Sequence, residues 1–292
     1  MRPLAVSILV LLVLSGSVGI AAWWPAGHRR STVAVGGLLG EDLPAFFRSG
    51  IDQAAHCAMD PDIWRREQCP QLRASERAEH FCDLELLEGA ELPDTRPAFH
   101  ALCRRRGHLP HDVGQVPYAV MEWTQRLAVA FAEHRRWPRD RHIRHKALVY
   151  AGLLAHYAQD LCQPLHTTIH YDGRRAADGS SPRSGIHAQV DALLVRVALP
   201  HAAELADAHE PFPDLAAGVR CTLMASHALV DRVYALADRL PPAEPGHRIE
   251  DPAVRAFASE RAAAALIFTA RLYATAWALS ERIALPDWLE RG

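Results

Sequence analysis

His156, Asp160 and His166 are the residues whose types and spacing most readily do chemistry. An imidazole and a carboxylate four positions apart on a helix leave the same face, one turn above the other. The apolar run Ala147 to Ala155 reads as a buried helix leading into them. Pro164 then ends that helix, because it has no N–H and its ring clashes with the preceding turn. The chain can therefore turn back and carry His166 beside the other two. Two imidazoles and a carboxylate converging at a helix end make a zinc-type donor set. A packed histidine with a capping carboxylate has the same spacing, so the rest of the chain must decide between them.

Four further groups carry the same residue types. Trp23 is followed five positions later by His28, and Asp60-Pro61-Asp62 offers two carboxylates. His80-Phe81-Cys82-Asp83 pairs a histidine with an aspartate, and His187 with Asp191 repeats the one-turn spacing on a second helix. Each alone is bland: a histidine near a helix start is usually a cap or a core residue, and Asp-Pro-Asp is usually a turn. Together they give five histidines and at least three carboxylates, more than one tetrahedral site uses. Two or three zinc ions are expected, an arrangement suited to phosphoryl hydrolysis.

In this order the motifs resemble the superfamily of fungal single-strand-specific zinc nucleases and bacterial zinc-dependent phospholipases C. Its pattern is an N-terminal Trp and a His, then Asp, then His-Phe-x-Asp, then His-x3-Asp-x2-Gln-Pro-x-His, then His-x3-Asp or His-x3-Glu. Trp23 with His28, Asp60 or Asp62, His80 to Asp83, His156-Asp160-Gln163-Pro164-His166, and His187-Asp191 match it in turn. The resemblance runs from Trp23 to about Asp191, and beyond that the match is only in helical character. It implies an all-α fold and three zinc ions. His80, His156, Asp160 and one of Asp60 and Asp62 would hold the first ion, and His166, His187 and Asp191 the second. The amine and carbonyl of Trp23 with His28 would hold the third, with Asp160 bridging it to the first. Ala58-Met59-Asp60 suits the family segment at one carboxylate, while an arginine three residues on suits Asp62. The resemblance also implies a role for Asp83 beside the attacking water or the substrate base, and for Phe81 as a stacking surface.

The implied function is an exported zinc-dependent phosphodiesterase in which zinc-activated water attacks phosphorus, nuclease-like on single-stranded nucleic acid. The alternatives are a phospholipase C acting on phospholipid head groups and a non-catalytic zinc-binding exported protein. Two departures bear on the choice. Val190 and Ala192 stand where the nucleases commonly have Trp and Asn around the last Asp. The family lysine near the site is missing too, Lys146 being the only lysine in the chain. Arg174, Arg175 or Arg183, from a loop between two histidine clusters, are candidate replacements for substrate contact.

The elements that must position these residues read as helical throughout, with no run of alternating strands. Helical spacing covers Gly27 to Leu39, Leu43 to Met59, Val116 to Trp137, Ile143 to Leu161 and His187 to Leu205, the last of which Pro200 should kink or end. Leu215 to Leu240 and Pro252 to Ile283 read as amphipathic helices, the second capped by Asp251. Glu91 to His111 and Tyr171 to Gly185 read as loops, the latter bordering the site. With 292 residues, 49% of them hydrophobic, and no composition break, one domain over residues 23–292 is expected. A net charge of -2 excludes a broad basic footprint for nucleic acid, so any such contact is local.

Arg2 followed by the apolar Leu4 to Leu14 and small residues to Ala22 has the layout of a signal peptide over residues 1–22. Secreted or periplasmic location follows, an uncleaved membrane anchor being the alternative. Six cysteines, all beyond that segment, suggest disulfides in an exported chain, with connectivity open. A substrate of nucleic acid or phospholipid is the partner implied; no protein partner is, and a monomer is expected.

Overall fold

The computed structural model describes residues 24–176, 178, 180–201, 204–205 and 209–290. All regular structure among them is helical, and no strand occurs among the described residues. Residues 1–23, which hold the expected signal peptide and the expected ligand Trp23, lie outside the described residues.

Five helices build the frame of the site: α1 (Trp24–Val35), α3 (Ile51–Cys57), α8 (Val116–Arg136), α9 (Arg141–Leu161) and α10 (Ile186–Arg196). Helix α9 is central, packed on α1, α3, α8 and the last long helix, α13 (Pro252–Leu279). Asp140 starts α9, its side chain accepting from the amides of His142 (2.7 Å) and Ile143 (3.3 Å). On α8 the stripe Val120, Leu127, Ala128, Phe131 and Ala132 is buried, as the spacing predicts. On α10, Val190, Leu193 and Leu194 form a second, smaller apolar cluster with Val233, Leu236 and Phe257.

The structure departs from the sequence reading at four elements. The span Leu43 to Met59 is two helices, α2 (Ala45–Ser49) and α3, broken at Gly50, where a Cβ would lie 2.5 Å from Leu148 on α9. Helix α10 stops at Arg196, short of Pro200. Leu215 to Leu240 is divided into α11 (Leu215–His227) and α12 (Val230–Leu236), followed by a short 3-10 turn. Within the expected loop Glu91 to His111 lies α6 (Arg96–Arg105), capped by Thr95 with proline in its first turn. Between these, α4 (Asp60–Trp64), α5 (Pro70–Glu76) and α7 (Pro110–Val113) are short helices around the site.

Helix α13 has the expected start, Asp251 accepting from the amides of Ala253 (2.8 Å) and Val254 (3.0 Å). It is not amphipathic, however. Packed against α1, α8, α9, α10 and α11, it buries Phe268, Thr269, Ala270 and every residue from Leu272 to Ala276. Residues Pro252–Arg282 are long and apolar enough to cross a bilayer, yet 61% of the most apolar window is buried against the fold. A helix surrounded by partners needs no polar face. The expected disulfides do not form: all six cysteines are free, with Cys57, Cys82, Cys103 and Cys162 buried and Cys69 and Cys221 exposed.

Candidate metal centre

Near its C-terminal end, α9 presents His156 and Asp160 on one face, both fully buried. His156 donates from Nδ1 to the carbonyl oxygen of Ala58, 2.8 Å away, at the end of α3. That fixes the ring and turns Nε2 inward, 3.1 Å from His80 Nδ1 and 3.3 Å from Asp160 Oδ2. His80 Nδ1 lies 2.9 Å from the same carboxylate oxygen. His28, from α1, stacks on His156 with ring centroids 4.0 Å apart and brings Nε2 to 3.4 Å from Asp160 Oδ1. Its other nitrogen meets Gln159 Oε1 at 2.9 Å.

The turn after α9 is built around Gln163. Its side-chain oxygen accepts from the amide of Leu165, and its nitrogen donates to Asp191 Oδ1 at 2.9 Å. One residue thus caps the 3-10 turn Pro164–Thr167 and orients a carboxylate on α10. His166, in that turn, donates from Nδ1 to the His80 carbonyl at 2.7 Å, which leaves Nε2 facing Asp191 Oδ1 at 3.9 Å. His187 Nε2 lies 3.2 Å from Asp191 Oδ2. Asp172 accepts from the amides of Gly185 and His187 and so holds the start of α10 in place.

Three groups of donors result: His28 with Asp62 and His156, His80 with His156 and Asp160, and His166 with His187 and Asp191. Within each group the donor atoms lie within 4.8 Å of one another, and all three groups are buried. Asp62 Oδ2, His80 Nε2, Asp160 Oδ1, His166 Nε2, His187 Nδ1 and Asp191 Oδ2 are buried without a hydrogen-bond partner. Buried polar atoms are rarely left so, and an ion is a standard reason for the exceptions. Nitrogen and carboxylate donors without thiolates fit zinc. The residues therefore fit the expected metal.

At the two carboxylates the electrostatics agree with that fit. Burial alone would raise the pKa of Asp160, but the imidazoles of His156 and His166, and then that of His28, hold it well below the usual carboxylate range. Asp62 is also lowered against its burial, by His156 and then Arg65. Burial dominates at His156 and His166, whose pKa values fall, whereas at His28, His80 and His187 neighbouring carboxylates outweigh burial and raise them.

Between the two carboxylates left open by the sequence, the geometry separates clearly. Asp62 is buried in the first donor group and ion-paired with Arg65. Asp60 starts α4, is half-buried and joins none of the three groups. His28 also differs from expectation by grouping with Asp62 and His156 as well as meeting Asp160.

A cavity of about 460 Å³ opens beside the metal groups, with His80, His166 and His187 in its wall. Phe81 and Asp83 line it as well, with Leu86, Leu165, Ile169 and Tyr171. The Asp83 carboxyl is pushed up to about 7 by burial and then by nearby Glu85, with Arg175 and Arg77 pulling the other way. The arginines in the wall are Arg65, Arg77 and Arg175. Arg174 is instead tied to Asp231 and lies over the Tyr234 ring, and Arg183 is tied to Asp238, so neither reaches the cavity. Of the loop's three candidate arginines, Arg175 alone lines this cavity, beside Tyr171 of the same segment.

Sequence reasoning missed Glu76 and Arg77. Glu76 accepts a hydrogen bond from Tyr157 and lies 3.5 Å from His80 Nε2, one helical turn from it. The one-turn spacing of Glu76 and His80 was the available signal, the same one that marks His156 and Asp160.

No protein-family model matches the chain, and no curated protein matches it. Among solved structures it is similar to the alpha toxin of Clostridium absonum, with a TM-score of 0.46 and 13% identity. That match covers 90% of this chain and 66% of the toxin. It is also similar to the alpha-toxin of Clostridium perfringens from an avian strain, with a TM-score of 0.40 and 12% identity over 89% of this chain and 64% of that one. The chain spans about two thirds of the length of these solved structures.

Proposed function

We propose that this protein is a zinc-dependent hydrolase of phosphodiesters, belonging to the zinc phospholipase C and single-strand nuclease superfamily. The observation that carries the reading is the set of three buried His/Asp groups, two of which put His80, His166 and His187 in the wall of an open cavity. His28, Asp62, His80, His156, Asp160, His166, His187 and Asp191 hold up to three ions, with His156 common to two groups. Bound there, zinc supplies Lewis acidity toward a phosphoryl oxygen and toward the attacking water.

The protein's own groups do the rest. Asp83, with a pKa near neutrality, is able to hold or release a proton at the cavity wall at working pH. Phe81, Leu86, Leu165 and Ile169 keep bulk water away and offer an apolar surface. That surface favours a phospholipid over a polynucleotide. Single-stranded nucleic acid remains the second reading, supported by Phe81 and Tyr171 as stacking surfaces in the same wall. Export, by the signal-peptide layout of residues 1–22, belongs to the same proposal.

The test is hydrolysis of bis-p-nitrophenyl phosphate by zinc-loaded protein, with a chelator arm and the variants His156→Ala and Asp160→Ala. Zinc content and turnover should fall together in both variants and in the chelator arm. Full zinc content and rate in either variant would sink the assignment.

A further inference from the structure

Arg77 and Arg175 come from separate segments, the 3-10 turn after α5 and the 171–185 loop, and both reach the cavity wall. Both are exposed, and neither guanidinium makes a hydrogen bond or ion pair among the described residues. Several other arginines of this fold, by contrast, are paired with carboxylates. Arg65 meets Asp62, Arg174 meets Asp231, Arg183 meets Asp238, Arg220 meets Asp94 and Arg232 meets Glu260. Both arginines act electrostatically on Asp83, which places them around one region of the wall. Asp112, the other carboxylate in that wall besides Asp83, lies 3.2 Å from His111.

We propose that Arg77 and Arg175 read a second negative charge beside the scissile phosphodiester, so that the preferred substrates are phospholipids with anionic head groups. The proposal rests on the phosphodiesterase reading above. A guanidinium presents a planar fork of donors that matches phosphate or carboxylate oxygens in pairs. A quaternary ammonium head group needs the opposite: open aromatic faces with carboxylates nearby and no cations. Here the aromatic residues of the wall, Phe81 and Tyr171, share it with three guanidiniums. Placing a choline there sets like charges side by side, which selects against it. Leu86, Leu165 and Ile169 offer the apolar contact for the glyceride side. Tyr171, 40% exposed, adds apolar surface in the same wall.

The experiment compares zinc-loaded full-length protein on mixed detergent micelles of phosphatidylcholine, phosphatidylinositol and phosphatidylinositol 4-phosphate. Bis-p-nitrophenyl phosphate and a single-stranded oligonucleotide run in parallel. The expected kcat/KM rises from the choline lipid to the phosphorylated inositol lipid by about tenfold or more, as for one or two charge-assisted contacts. In Arg77→Gln and Arg175→Gln, the ratio of anionic-lipid rate to bis-p-nitrophenyl phosphate rate should fall several-fold, with melting temperatures recording that both variants fold. Equal or faster turnover of phosphatidylcholine overturns the proposal, as does an unchanged ratio in both variants. Turnover of the oligonucleotide with none of any lipid overturns it in favour of the nuclease reading. Absence of turnover on every substrate, bis-p-nitrophenyl phosphate included, instead removes the phosphodiesterase reading itself.

Discussion

At the scale of single residues, the paired carboxylates make the sharpest contrast. Asp62 sits buried among imidazoles while Asp60, two positions away, starts a helix at half exposure. Asp62→Asn should therefore cost part of the zinc content and most of the activity, and Asp60→Asn little of either. Equal, mild losses measured by zinc analysis and phosphodiesterase rate would show that the carboxylate ligand lies elsewhere. Asp83 gives a second prediction, with a pH sign. Below its ordinary pKa of 3.8 the carboxyl is protonated in folded and unfolded chains alike and contributes nothing. From there up to about 7 the unfolded chain has lost a proton that the fold still holds, so stability falls as pH rises and then levels off. Asp83→Asn removes that slope. Its zinc-free melting temperature should match the parent near pH 4 and exceed it increasingly up to about pH 7, while the phosphodiesterase rate drops. A constant offset across the pH series would contradict the assignment. The ligand residues were legible because one-turn spacing is a local property of the chain. Which of two aspartates faces inward was not, because that depends on how α4 sits against distant helices.

At the scale of elements, the contact between α3 and α9 sets the geometry of the cluster. Gly152 lets the two helices touch: a Cβ there would lie 2.3 Å from the Ala54 carbonyl oxygen and 2.7 Å from Cys57 Cβ. Ala58, just beyond, supplies the carbonyl that aims His156. Gly152→Ala should destabilise the fold by about 1–3 kcal/mol through overpacking and weaken zinc binding along with it. Urea unfolding and a zinc titration check both, and unchanged values would mean that the helices are free to separate. Long helices with one apolar stripe, α8 and α9 above all, were legible from periodicity. Those whose limits depend on neighbours were not. Gly50 reads as an ordinary interior residue until Leu148 is seen against it, and α6 was hidden by a composition rich in Pro, Arg and His. Helix α13 misled in the other direction, since burial on several sides erases the polar face that periodicity seeks.

At the scale of the whole molecule, the buried donors make folding and metal binding one equilibrium. Carboxylates and imidazoles buried without partners burden the zinc-free fold, and an ion that binds only the folded chain relieves it. Free zinc at about a thousand times its dissociation constant should add about 4 kcal/mol. The melting temperature should rise with zinc, fall back with chelator, and show a smaller zinc response in Asp160→Ala. A parent protein whose melting is indifferent to zinc would leave the buried donors without an occupant. The all-helical class was legible at this scale from the near absence of strand-like patterning, whereas the order in which helices surround one another was not. That order has a consequence in time. Synthesis runs from the first residue onward, and every proposed ligand from His28 to Asp191 is made before Pro252. Yet α1, α8 and α9 gain their common buttress only when α13 docks among them. The ligands are therefore complete in number before the helix that buttresses their frame has been made.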